Sequence, residues 1–449
     1  MSDVAEKIYK DPATSSKEKK NTEIGSVFVS NYPAYSFWNE EDVTEVFKTL
    51  NTKQNPDTPM GLYMHIPFCR KRCKFCYFKV YTGKNSDEIQ NYLDALAKEI
   101  ELYSKIPAVN GRALKYVYFG GGTPSFISVK HLKWLVDNAK AAIPWNTAEE
   151  IAFECEPGTL TQSKLEAIRE IGVTRLSLGI EHFDDDILQE NGRAHLSKEI
   201  YRVQPWVKTL GFDQVNIDLI AGMVGETTEN WKETVQKAIE YDADSITIYQ
   251  LELPFNAVYS QHLRQGEKIE VADWTLKREW HAYAIEALEA AGYEISSAYT
   301  MIKKDSKNKR FIYRDALWQG ADMIATGVAS FSHLAGVHFQ NSSRWNEYLE
   351  SLNRNELPVS RAFAATGRER LIREMILQLK LGKIEASYFR NKFDVDILKE
   401  FSQVFHTHQT SGMLNINNST ITLTRDGLLC VDQLLPEFYD EKYQNARYT

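Results

Sequence analysis

Cysteine is scarce in this 449-residue chain, five residues in all, and so sparse and odd a set excludes the disulfide framework of a small secreted domain. Long apolar runs are missing too. No stretch approaches the ~18 residues that a membrane-spanning helix requires, and no apolar signal segment opens the sequence. A chain without a membrane partner and with a cytoplasmic location is therefore expected. A surplus of positive charge is likewise absent: at a net charge of −8 the chain lacks the footprint of a nucleic-acid binder. There is no internal repeat or coiled-coil heptad to support a purely structural role. What remains, 43% hydrophobic and 25% charged residues, is the composition of a large soluble enzyme.

Three of the five cysteines, Cys69, Cys73 and Cys76, crowd into one C-x3-C-x2-C segment directly after a short apolar strand. Three thiolates on a tight loop can hold three irons of a [4Fe–4S] cluster, and with no fourth cysteine nearby the fourth iron stays open to an external ligand. An open iron implies catalysis. The competing reading is a zinc knuckle, which needs a closed set of four ligands and finds only His65 for the fourth place. Cys155 and Cys430 lie far away in sequence. The basic cluster Arg70, Lys71, Arg72 and Lys74 sits inside the loop. It would offset an anionic cluster, meet a reductase or an acidic substrate, or simply be a solvated loop. The stretch Lys17–Lys20 reads as a solvated, disordered leader.

After residue 57, β-rich runs alternate with helical periodicity, the signature of βα units around a parallel sheet. Strands are predicted at Gly61–Ile66, Lys115–Phe119, Glu150–Cys155, Arg175–Gly179, Gln214–Ile220 and Ser245–Leu251. A helix starts near Asp87, with Asn85 and Glu88 spaced as a capping box and Ile89, Tyr92, Leu93, Leu96 and Ile100 on one face. Six such units imply an α/β fold, a partial (β/α)6 barrel whose functional loops follow the carboxyl ends of its strands.

Polar groups gather at those ends. Gly120, Gly121, Gly122 and Thr123 form a turn after the second strand, where missing side chains permit positive φ or a close backbone approach. Glu154 and Glu156 flank Cys155 and are expected to share the lumen face of the third strand. Asp218 lies within an apolar strand, where an unpaired charge is costly, so contact with Arg193 or a ligand is expected. Tyr249, Gln250 and Glu252 end the sixth strand as substrate-side candidates, or as groups that only close the rim.

In order along residues 60–440, the runs Tyr-x-His-Ile-Pro-Phe-Cys, Tyr-Phe-Gly-Gly-Gly-Thr-Pro-Ser, Glu-Cys-Glu-Pro, Arg-Leu-Ser-Leu-Gly-Ile-Glu, Asn-Ile-Asp-Leu-Ile-Ala-Gly and Gly-Tyr-Glu-Ile-Ser resemble the oxygen-independent coproporphyrinogen III oxidase family of radical S-adenosylmethionine (SAM) enzymes. That resemblance implies a radical SAM barrel with Cys69, Cys73 and Cys76 on the cluster. SAM, one molecule or two, would be held by Tyr63, Phe75, Gly120, Gly121, Gly122, Thr123, Glu154, Glu156, Glu181, Arg193 and Asp218. Glu181, Arg193, Tyr249, Gln250 and Glu252 would stand near the chemistry. Glu181 departs from the pattern, since most relatives have glutamine there. The oxidases also usually carry a further cysteine two places after the third ligand, where this chain has Phe78. The expectation is therefore a radical enzyme resembling the class C methyltransferases, using two SAM molecules to methylate or cyclopropanate an unreactive carbon of a natural product. The alternatives are oxidative decarboxylation of coproporphyrinogen III propionates and a heme chaperone on the same scaffold. Partners implied are a small-molecule substrate and an electron donor such as flavodoxin or ferredoxin.

The expected organisation is a partly disordered extension over 1–56, a barrel with its C-terminal elaboration over 57–357 and a small α+β winged-helix-like lid over 358–449. In the last part, helices at Arg368–Lys380 and around Val395–Phe405 precede a hairpin over Leu414–Leu423 that turns at Asn417-Asn418. Residues 360–449 hold 12 Lys and Arg against 11 Asp and Glu, so the module is not expected to bind DNA. The tail residues Tyr439, Tyr443, Arg447 and Tyr448 reach the substrate or fray.

Overall fold

A computed structural model describes residues 21–444. Six parallel strands, β1 (Met60–Ile66), β2 (Leu114–Gly121), β3 (Glu150–Cys155), β4 (Arg175–Glu181), β5 (Gln214–Ala221) and β6 (Ser245–Gln250), pair in sequence order with helices in between. These are the six predicted units, with each end within two residues of its expected place. The sheet then continues at both edges. Beyond β6 come β7 (Tyr293–Ile295) and β8 (Thr300–Lys303), antiparallel. Beyond β1 come β9 (Asp322–Thr326), which is parallel to it, and the antiparallel β10 (Phe331–Leu334), β11 (Val337–Asn341) and β12 (Val359–Ala364). The result is a twelve-stranded arc around a partial barrel.

The helix Ser86–Ser104 shows how the sequence drives this packing. Asn85 accepts from the Asp87 and Glu88 amides while Glu88 reaches back to the Asn85 amide, a cap contributing about 1 kcal/mol. Its predicted apolar face, Ile89, Tyr92, Leu93, Leu96 and Ile100, is buried against the sheet, each side chain stabilising by roughly 1.5–3 kcal/mol.

A second core lies in the C-terminal part. It is built from the helices Gly367–Leu379 and Ala386–Phe393 and a small sheet of β13 (Lys383–Glu385), β14 (Leu414–Asn417) and β15 (Thr420–Leu423). Several expectations change here. Val359–Ala364 belongs to the large sheet, so the new core starts after it rather than at residue 358. The helix foreseen around 395–405 is two pieces, Ile397–Glu400 and Ser402–Thr410. The hairpin turns at Asn418-Ser419, with Asn418 at φ 56°. Tyr439 and Tyr443 neither fray nor reach a substrate, since both are buried in this core.

From residue 21 the N-terminal extension packs against the rest of the chain. Its backbone pairs with Leu253, Val29 donates to Asp432 at 2.8 Å, and Val29 and Tyr32 are part of the second core. The Lys17–Lys20 leader, Arg447 and Tyr448 lie outside the described residues.

Candidate active site

The cysteine loop follows β1 onto the carboxyl edge of the barrel, and its basic residues fasten it there. Arg70 places Nε and Nη2 on the two Glu156 oxygens at 3.2 and 3.0 Å and also reaches the Ala194 carbonyl at 2.7 Å. Arg72 donates to the Cys76 and Asn256 carbonyls, and Lys74 pairs with Glu190 at 2.9 Å. Three of the four charges foreseen for a cluster, reductase or substrate thus tie the loop to neighbouring segments. Glu156 anchors them. Burial alone would raise its pKa, but His195 at 3.0 Å together with Arg193 and Arg70 outweighs that and holds it at about 2.

The glycine turn packs directly on this loop. The Gly122 amide donates to the Ile66 carbonyl and the Thr123 amide to the Phe68 carbonyl, while Thr123 Oγ1 lies 3.4 Å from Cys69 Sγ. A Cβ on Gly122 would sit 3.1 Å from that sulfur and 3.0 Å from the Phe68 carbonyl oxygen. At Gly121, where φ is +114°, a Cβ would fall 2.5 Å from the His65 ring. These glycines are required by the approach of strand to loop, whatever ligand their backbone also meets.

Behind the loop, alternate residues of the strands line a polar lumen. Tyr63 and Tyr118 stack at 5.8 Å, and Glu154 accepts from the Tyr118 hydroxyl at 2.8 Å and the Gly121 amide at 3.2 Å. Asp218 accepts from Ser177 at 2.9 Å and Asn216 at 3.0 Å. These are its hydrogen-bond partners, while Arg193 acts on it only through its charge, because Arg193 turns to the cluster loop. There Nη1 is 3.2 Å from Cys73 Sγ and 3.5 Å from Glu181, and Nη2 donates to the Gly179 carbonyl at 2.6 Å. Burial pushes Glu154 and Glu181 up to about 7 and Asp218 to about 6, and the Asp218 charge adds to the rise of the first two. Glu181 holds this position through a bulge: β4 loses register between Gly179 and Glu181, and Glu181 takes φ 67°, a conformation that costs about 1–3 kcal/mol in a non-glycine residue.

Strand alternation separates the remaining candidates. Tyr249 is 41% exposed and faces the carboxylates and Tyr77. Gln250 points the other way, its amide 3.0 Å from His281 Nδ1. Glu252 is occupied by the N-terminal extension, accepting from the Val27 and Phe28 amides at 2.7 Å each and from Ser26 Oγ. Glu156, expected on the lumen face beside Glu154, lies past the end of β3 and caps the turn Pro157–Thr159. Phe75 packs with Ile187, Ile220, Met223 and Leu251. Tyr118, Ser177, Asn216 and His195 escaped the sequence reading. Tyr118, Ser177 and Asn216 are legible as residues two positions before Gly120, Gly179 and Asp218 on the same strand faces.

The donor set fits the expected cofactors. Cys69, Cys73 and Cys76 are all free thiols. The three thiols share one anchored loop, with an arginine N–H aimed at one sulfur. A lumen of carboxylates near neutrality suits the ammonium and sulfonium charges of SAM, and Arg193 Nε is buried without a partner.

Residues 63–238 match the Radical SAM superfamily. The chain is 27% identical to the heme chaperone HemW of Bacillus subtilis over 84% of its own length and 99% of that protein. It is 26% identical to the oxygen-independent coproporphyrinogen III oxidase of Synechocystis over 93% of its length and 92% of the relative. The crystal structure of coproporphyrinogen III oxidase (HemN) from Escherichia coli superposes with a TM-score of 0.81 at 21% identity, covering 92% of this chain and 96% of that one. These relatives are oxidases and heme chaperones, so the class C methyltransferase expectation gains no support from them. No helix among the described residues is long and apolar enough to cross a membrane. The cysteine loop, the matched segment and the shared fold lead to one conclusion: the chain carries a radical SAM domain, with a [4Fe–4S] cluster and S-adenosylmethionine as its cofactors.

Proposed function

We propose that this chain is a radical enzyme acting on the propionate side chains of a porphyrinogen. The observation that carries the enzyme reading is the anchored loop of Cys69, Cys73 and Cys76 opening onto the lumen of Glu154, Glu181 and Asp218. The substrate class comes from the oxidases that match over most of the chain. When bound, the cluster and SAM supply a 5′-deoxyadenosyl radical, on an electron from a donor such as a flavodoxin or ferredoxin. The protein's own share is to position and to exclude water. Cys69, Cys73 and Cys76 would hold the irons, while Glu154 and Asp218 would accept hydrogen bonds from the cationic and hydroxyl groups of the cofactor. Below them Tyr116, Tyr118 and Tyr313 pack as a desolvated floor. A second reading, heme carriage, is favoured by Phe78 in the place of the oxidases' further cysteine.

Anaerobic reconstitution, reduction and mass spectrometry with coproporphyrinogen III test the proposal. With a one-electron acceptor supplied to take the electron left on the substrate radical, carbon dioxide, a vinyl product and 5′-deoxyadenosine are expected, all lost in a Cys69, Cys73 and Cys76 to Ala control. Stoichiometric hemin binding without turnover of the porphyrinogen would refute the enzyme reading in favour of the carrier. Formation of S-adenosylhomocysteine with a methylated product would refute both.

A further inference from the structure

Glu181, Arg193 and Cys73 form a relay. The carboxylate lies 3.5 Å from Arg193 Nη1, and the same nitrogen lies 3.2 Å from Cys73 Sγ. A second guanidinium nitrogen is fixed on the Gly179 carbonyl at 2.6 Å, so the arginine cannot swing away to follow either partner. One N–H edge is thus divided between a carboxylate and a cluster sulfur, and hydrogen bonds to cluster sulfurs are among the levers that set a cluster's potential.

We propose that Glu181 is a positioning residue that couples uptake of an electron by the cluster to uptake of a proton, acting through Arg193 on the Cys73 sulfur. The inference rests on the cluster assignment above and on no particular substrate. The balance is one electron from the external reductant to the cluster and one proton from solvent to a Glu181 oxygen, forming an O–H bond. With Glu181 ionised, the Arg193 charge is shared and the added electron is poorly compensated. Protonation frees the guanidinium for Cys73, and reduction in turn makes the nearby carboxylate harder to keep ionised.

The groups around Glu181 act in both directions. Glu154 on β3 and Asp218 on β5 repel its charge, Tyr249 on β6 faces it, and Arg193 is its cationic partner. Arg193 itself also feels Glu156. Burial, with Asp218 adding to it, outweighs the attraction of Arg193 and pushes Glu181 up to about 7. A carboxyl poised there exchanges its proton in the range where the protein works.

The test is a potentiometric titration of the reconstituted full-length protein without SAM, followed by electron paramagnetic resonance of the reduced cluster between pH 6 and 8.5. The wild type is expected to lose potential as pH rises, approaching a tenfold change in the reduction equilibrium per pH unit, about 59 mV for one electron. Glu181→Gln keeps the shape and an acceptor but cannot titrate. It is expected to show a flat potential near the low-pH wild-type value. Arg193→Lys, too short in its hydrogen-bonding reach to hold Gly179, Glu181 and Cys73 together, is expected to flatten the profile as well while iron and sulfide content stay intact. A flat wild-type profile overturns the proposal, as does a slope that survives in Glu181→Gln. A chain that assembles no cluster overturns both the proposal and the cofactor assignment, which separates that failure from the others.

Discussion

Replacing Gly121 with alanine puts a methyl group where the barrel has no room for one. The new Cβ would lie 2.5 Å from His65 Cε1 and Nδ1, well inside van der Waals contact. His65 cannot retreat. It is 5% exposed, its Nδ1 lies 3.2 Å from the Tyr63 hydroxyl, and Gly327 presses on its far side so closely that a Cβ there would come within 2.8 Å of His65 Cβ. Overpacking of this kind costs about 1–3 kcal/mol, and holding alanine at φ +114° adds roughly 1–3 kcal/mol. Gly121→Ala is therefore expected to destabilise the protein by about 2–6 kcal/mol in urea unfolding followed by circular dichroism. In a His65→Ala background the overlap vanishes while the backbone strain remains, so the same substitution is expected to cost about 1–3 kcal/mol less. A cost below about 1 kcal/mol, or an equal cost in both backgrounds, would refute the argument that this glycine is held by packing against the loop.

Glu99 carries a pH dependence that can be isolated. It is fully buried, and burial pushes it up to about 7 despite hydrogen bonds from the Gly327 amide, Tyr348 and Asn341. Because the folded value lies above the ordinary 4.5, its stabilising contribution is complete below pH 4.5 and is lost as pH rises through 7. The loss amounts to about 3 kcal/mol. Denaturant titrations at pH 5 and 8 are expected to show that much less pH dependence in Glu99→Gln, and parallel curves would sink the assignment. Glu252→Ala removes the acceptor for the Val27 and Phe28 amides and for Ser26, so thermolysin is expected to cut near Phe28 several-fold faster. Unchanged cleavage would mean that the extension is held elsewhere.

The strands and the cysteine loop were legible because period-two alternation and C-x3-C-x2-C spacing are local properties. Errors began where a strand ends. Glu156 was placed beside Glu154 by alternation, yet β3 stops at Cys155 and the chain turns. Gln250 was read with Tyr249, although neighbours on one strand face opposite sides. Glu252 looked like a rim residue because its partners, Ser26 to Phe28, are more than 220 positions away. Asp218 illustrates the same limit from the other side: the need for a partner was visible in an apolar strand, and Asn216 stands two places earlier on it, but the second partner, Ser177, depends on which strand adjoins.

The interlocking of the two ends of the described chain has a bearing on biosynthesis. Val29 is fixed by Asp432 and Lys380, and Tyr32 stacks on Tyr439 at 4.8 Å and against Tyr443 at 5.4 Å. A ribosome delivers Val29 and Tyr32 hundreds of residues before the partners that receive them. Residues 29–32 therefore wait, unplaced, until translation is nearly complete, and a truncation that removes 432–443 leaves them without their seat.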